Sequence, residues 1–348
     1  MSEATKSQPA QPDTGPPAGN GTLGLLRGGL GAFGRQREAT VFIVAAALLL
    51  YFGIKYNSSF VSQDNATDLF SEFAAPIAII AIGEVLLLIC GEIDLSVGFI
   101  YTCAPAVMFF MISYNGFPGW LGVIAGLAFG LLAGFVNGFL VVTMRLPSFI
   151  ATLGTGFILY GFVLTGLHDE PVDIPATTMG MGKWIGSDAW SMTIWMVALV
   201  VVFQIVLTRT RWGLHTISVG GNQLGAREAG IHVGRIKYGN FMITGVLGAL
   251  VGIQNAFYSN TIDPNAGGYL PMFYAVAAAI IGGTAMLGGS GTVLGAFLGA
   301  IVLATLQDGF SVAGVSSNPL EIIFGLAVIV AMIANVQLAR LRESGRMR

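Results

Sequence analysis

From Glu38 onward the chain is a succession of apolar runs, each near 20 residues long and each closed by a polar or glycine-bearing join. About 20 residues rising ~1.5 Å apiece are needed to cross ~30 Å of hydrocarbon. The runs fall at roughly 40–56, 72–90, 96–113, 118–142, 148–167, 191–208, 239–258, 270–287, 291–308 and 319–337. Backbone in lipid must satisfy its own hydrogen bonds, so such segments are helices. The sequence predicts an all-α polytopic membrane protein of about ten transmembrane helices. Some should be broken, because charges interrupt 72–113 and glycines interrupt 270–308. Charged residues make up 10% of the chain, against about 25% in a soluble domain. Too few charges are present to clothe a water-facing surface, which excludes a nucleic-acid binder, a secreted disulfide scaffold and a disordered hub. Membrane lipid is the expected surroundings.

Residues 1–38 are different: rich in Pro, Gly, Ser and Gln, with no apolar period. They read as a disordered cytoplasmic N-terminal tail, before a transmembrane domain over 39–338 and a basic cytoplasmic C-terminal tail over 339–348. Ten crossings put both ends on one side of the cell membrane. With the start inside, the outer segments hold only Lys55 and Lys183. The other 14 of the 16 basic residues, Arg145, Arg209, Arg211, Arg227, Arg235 and Lys237 among them, fall inside. That separation follows the positive-inside rule, and a miscount by one span would destroy it. Acidic residues lean outward, as with Asp64, Asp68, Glu72, Asp169, Asp188 and Asp263. Asp308 and Glu321 are expected at outer helix ends, near water.

Gly122, Gly126, Gly130, Gly134 and Gly138 recur every four residues, along one helical face. They predict a groove without side chains into which a second helix presses. Gly291, Gly295 and Gly299 repeat the device, and Gly245, Gly248 and Gly252 nearly do. Segments 72–142 and 239–308 are weakly alike and enter the membrane from opposite sides, which suggests an inverted repeat.

Two features point to function. The first is GEIDLSVG at 91–98, where Glu92 and Asp94 fall between apolar spans. An ionised acid deep in lipid costs about 2.5–3.5 kcal/mol or more. The motif is either a broken segment lining a translocation path, with Ser96 beside its acids, or an inner loop in which Asp94 caps the next helix. Glu84 lies inside the run IAIIAIGEVLLLIC (77–90) and by default faces the bundle interior. Asn137, Gln204, Gln254 and Asn255 are read first as glue between helices.

The second feature is the segment 209–238, RTRWGLHTISVGGNQLGAREAGIHVGRIKY. Asn222 can cap a short helix running from Gln223 through Ala226, Arg227 and Glu228 to Gly230, hinged at Gly221. A small exposed helix between glycines on the inner face has the form of a docking element.

Absences narrow the classes. No G-x-x-x-x-G-K-[ST] occurs, and Gly289-Ser-Gly291 meets Leu294 where a dinucleotide fingerprint needs glycine. His168, His215 and His232 are scattered, and Cys90 and Cys103 lie in apolar runs, so no metal or redox set is expected. With no nucleophile–base set either, the chain reads as a transport subunit rather than an enzyme, with no cofactor.

GEIDLSVG, NGFLVVTMRLPSFIATLGTGFILYG (137–161), GLHTISVGGNQLGAREAGIHVGRIK (213–237) and IIGGTAMLGGSGTVLGAFLGA (280–300), with GVSS at 314–317, occur in this order. Together they resemble the permease subunit of bacterial ribose/xylose-type ABC sugar importers, over about residues 40–337. The resemblance implies import of a monosaccharide or polyol driven by a cytoplasmic ATP-binding subunit, with substrate delivered by an extracytoplasmic sugar-binding protein. It implies a second permease copy, as a homodimer or close heterodimer. It places the ATPase contact at Gly221, Asn222, Ala226, Arg227, Glu228 and Gly230, and the path along Gly91–Gly98 and its neighbours. Glu84, Tyr160 and Asp308 depart from the family's usual residues. A second reading is an ion-coupled secondary transporter using Glu84 or Asp94.

Overall fold

The computed structural model describes residues 37–315, 322–326, 329–330 and 333. The tails over 1–36 and 339–348, Glu321 and most of the run 319–337 lie outside the described residues. The main helices are α1 (Arg37–Lys55), α2 (Gln63–Ile89), α3 (Val97–Ser113), α4 (Gly119–Thr143), α5 (Ser148–Leu167) and α6 (Ser191–Arg209). Then follow α7 (Arg211–Gly221), α8 (Gln223–Glu228), α9 (Val233–Ser259), α10 (Tyr269–Ile281) and α11 (Val293–Val312). Two-residue strands β1 (Val172–Asp173) and β2 (Thr261–Ile262) pair antiparallel, tying the end of α5 to the end of α9.

Among the described residues seven helices, α1, α2, α4, α5, α6, α9 and α11, are long and apolar enough to cross a membrane. Two expected spans are shorter. The run at 96–113 is a 17-residue helix, and 270–287 holds only the 13 residues of α10. Thirteen residues reach about 20 Å, well short of the hydrocarbon thickness. The apolar run continues past Ile281, but Gly282 and Gly283 end the helix. An added Cβ on Gly282 would overlap the backbone of Gly295, so the end of α10 sits backbone to backbone against the first turn of α11, with the 282–292 join between them in sequence.

Burial sorts the helices into inner and outer. Of its most apolar window α2 buries 83%, and α9 and α11 bury 67%, whereas α1 buries 22% and α5 and α6 28%. A helix apolar on every side belongs in a core, and α2 packs against α6, α9, α10 and α11. The five-glycine groove of α4 is filled as its spacing requires, and all five glycines are buried. Gly122 and Gly126 take the backbone of α3 at Met108 and Ala104. Gly130 and Gly134 take α9 at Gly245 and Phe241, and Gly138 takes Tyr238. On the facing helix Gly245 meets Gly130, Gly248 meets Val97 and Gly252 meets Tyr101. A methyl on Gly126, Gly130, Gly134, Gly245 or Gly252 must separate two backbones, an overpacking cost of about 1–3 kcal/mol, whereas Gly122, Gly138 and Gly248 first meet side chains.

Asp308 is not at a wet helix end. It is 2% exposed, and its Oδ2 accepts from Asn65 Nδ2 at 2.8 Å. The first turn of α2, through Asn65, lies over this part of α11.

Candidate functional site

The motif 91–98 is a break between α2 and α3, exposed at Gly91, half-buried at Glu92 and Ile93, and buried from Asp94 onward. Asp94 is fully buried. Its Oδ1 accepts from Ser96 N at 2.9 Å and Ser96 Oγ at 2.6 Å. Asn137 Nδ2, on α4, lies 3.1 Å from both carboxylate oxygens and 2.7 Å from Ser96 Oγ. Thr155 Oγ1, on α5, donates to Asn137 Oδ1 at 2.7 Å and fixes the amide's orientation. Asp94 N donates to Glu84 Oε2 on α2 at 3.4 Å. The break thus lies among α2, α4 and α5; Asp94 accepts from Ser96 N, but the cap position of α3 is Ser96, without a side-chain cap bond, so Asp94 is not the cap of that helix. A buried carboxylate is tolerable only with such donors.

Glu84, Asp94, Ser96 and Asn137 come together; Glu92 does not join them. It forms an ion pair with Lys237 of α9, the two side chains 12% and 13% exposed. Glu84 Oε1 has no hydrogen-bond partner among the described residues, and neither side-chain atom of the buried Gln254 has one, so Gln254 is not the glue expected of it. Gln204 is such glue, accepting from Leu294 N at 3.0 Å. The residues missed from sequence are on α5. Thr152 Oγ1 accepts from Leu95 N at 3.0 Å and Ser148 Oγ from Ile93 N at 3.4 Å, completing the backbone of the break. Their signal is present: Ser148, Thr152 and Thr155 stand at i, i+4 and i+7, one face of a helix.

The second assembly is α8. Asn222 Oδ1 accepts from Gly225 N at 2.9 Å, the expected cap, and Gly230, at φ +80°, ends the turn that follows. Ala226 is buried against Cys90, Val219, Val233 and Ile236. Leu224, 67% exposed, Arg227 and Glu228 face outward. Glycine backbones connect this element to the break. Gly289 N donates to Ile89 O at 2.8 Å. A Cβ on Gly220 would overlap Ile89 O and Gly289 N, and Gly288 and Gly289 hold φ near +88° and +79° that only glycine adopts freely. The end of α7, the end of α2 and the 282–292 join therefore touch with no side chain between them. An open cavity of about 270 Å³, lined by Ile217 and the 282–292 join, lies beside this contact.

Comparison with known proteins follows this geometry. Residues 67–333 match the family described as branched-chain amino acid transport system / permease component. The chain is similar to the xylose/arabinose import permease protein of Sulfolobus acidocaldarius, 32% identical over 310 residues, covering 86% of this chain and 85% of that one. It is similar to the fructose import permease protein of Rhizobium meliloti, 30% identical, covering 84% of each. It is also similar to the ribose import permease protein of Bacillus subtilis, 31% identical, covering 80% of this chain and 86% of that one. No solved structure matches the chain.

Proposed function

Because the chain belongs to the branched-chain amino acid transport system / permease component family, we propose that it is the membrane subunit of an ATP-driven importer of a monosaccharide or polyol. The sugars named for its relatives support that substrate class. A cytoplasmic subunit binds and hydrolyses ATP, an extracytoplasmic binding protein delivers the sugar, and two permease copies enclose the path. Both termini and α8 lie in the cytoplasm. Glu84, Asp94, Ser96 and Asn137 belong to the path, and Glu92, through Lys237, closes its inner end.

The observation that carries this reading is α8 itself. Its exposed Leu224, Arg227 and Glu228 offer an apolar and charged face to a partner. Its other end leads through Gly220 and Gly221 to Gly289 and Ile89, three residues before Glu92. A push on α8 reaches the break through contiguous backbone, with no soft side chain to absorb it. Gly221, Asn222, Ala226 and Gly230 shape and seat the element; Arg227 and Glu228 make the contacts. Charge reversal in Arg227→Glu should leave the fold intact and lower both uptake and substrate-stimulated ATP hydrolysis. Full transport by that variant overturns the docking assignment. An ion-coupled carrier using Glu84 or Asp94 gains no support from the relatives, and Asp94 has its oxygens already engaged by Ser96 and Asn137.

A further inference from the structure

Above the buried break stands a group of rings: Phe99, Tyr160 and Tyr269 pack in part against the core, while Phe157 and Phe273 leave their faces open. Phe99, 2% exposed, follows Ser96 by three residues, packs edge-on against Tyr269 of α10 with centroids 5.0 Å apart, and lies tilted against Tyr160 of α5 at 5.5 Å. Tyr269 also meets Phe157 at 6.1 Å and stacks on Phe273 at 6.2 Å. Phe157 and Phe273 are 56% and 53% exposed. The group is contiguous with the polar cluster. A Cβ on Gly156 would lie 2.7 Å from the Phe99 ring and 3.5 Å from Ser96 Cα, and Thr155, which holds Asn137, is two residues before Phe157.

A polar ladder runs upward from the rings. Tyr160 Oη donates to Asn265 Oδ1 at 2.9 Å, and Asn265 Nδ2 donates to Asp169 Oδ1 at 2.9 Å. Asn265 and Asp169 are both exposed. The segment that carries Asn265 dips inward to reach this depth, with Gly268 N donating to Gly98 O at 2.9 Å. Open aromatic faces beside a few fixed polar groups match a sugar ring, which has apolar C–H faces and a hydroxyl rim. We propose that Phe157, Tyr160, Tyr269 and Phe273, with Asn265 and Asp169, form a stacking subsite. It receives the sugar ring on its way from the outer face to the Asp94–Asn137 cluster. The proposal rests on the importer reading and adds to it the residues that hold the sugar.

The test uses the full complex of permease, ATP-binding subunit and binding protein in liposomes, with radiolabelled D-xylose, D-ribose and D-fructose as probes. The double variant Phe157→Leu/Tyr269→Leu should lower uptake about tenfold while its membrane level and assembly size stay as in the unmodified complex. Tyr160→Phe, which removes one hydroxyl, should change the ratio of uptake rates among the three sugars by about threefold. Phe162→Leu, at an exposed ring on α5 outside the group, should change neither. Wild-type rates and ratios in the double and Tyr160 variants would mean that the rings face lipid, and the subsite is overturned. Loss of the second permease copy in the double variant would mean that the rings bind that copy, and overturns it equally. Failure of the unmodified complex to move any of the three sugars overturns the sugar reading itself, and the subsite with it.

Discussion

At the scale of the residue, the site is an exercise in placing charge where water cannot reach it. Asp94 collects donors from Ser96 and Asn137, and Glu92 pairs with Lys237. Breaking a nearly buried pair by removing one partner costs about 3–5 kcal/mol, because the other charge is left behind. Glu92→Gln and Lys237→Met should each lower the melting temperature in detergent, and the double variant should lose far less than the sum of the two. Strict additivity would show that the pair does not interact. Asn137→Ala removes a donor from Asp94 and should cost about 1–3 kcal/mol in the same melting measurement, with uptake falling too. Wild-type melting and uptake in that variant would remove Asn137 from the site. The sequence places Glu84 inside an apolar run and Glu92 and Asp94 between two of them, since a charge beside aliphatic residues is conspicuous. It did not show their partners. Lys237 is 145 residues from Glu92, and Asn65 is 243 from Asp308. Nothing local marks such pairings, which is why Glu92 was grouped with Asp94 and Asp308 was expected in water.

At the scale of the element, legibility followed periodicity. The groove on α4 repeats every four residues and could be read directly, and α8 announced itself by Asn222 at one end and Gly230 at the other. α10 is shorter than its apolar run because apolar composition continues beyond Ile281, while the helix is ended by a glycine pair, the first of which must approach the backbone of Gly295. The two kinds of glycine respond oppositely to a methyl. Gly134→Ala drives Cβ into Phe241 O of α9 and should destabilise by about 1–3 kcal/mol. Gly154→Ala on α5 meets nothing within 4 Å and should be neutral or gain about 0.5–1 kcal/mol from helix propensity. Thermal melting of the two variants side by side decides it. Equal effects would mean that the α4–α9 contact is looser than described.

At the scale of the whole molecule, the inner helices α2, α9 and α11 form a core against which α1, α5 and α6 lie as a partial shell. The broken joins at 90–96 and 282–292 meet the end of α7 at one point. Gly220→Ala should wedge that point, since its Cβ overlaps both Ile89 O and Gly289 N. ATP hydrolysis by the assembled complex should then respond less to substrate. An unchanged response would mean that motion travels by another route. All of this presumes that α8 faces the cytoplasm and meets the ATPase there. The direct measurement is modification of Glu228→Cys by a membrane-impermeant thiol reagent; the native Cys90 and Cys103 are buried and add little background. The expected result is no reaction in sealed cells, full reaction in inside-out vesicles, and protection there when the ATP-binding subunit is bound. Reaction from outside sealed cells would contradict the account.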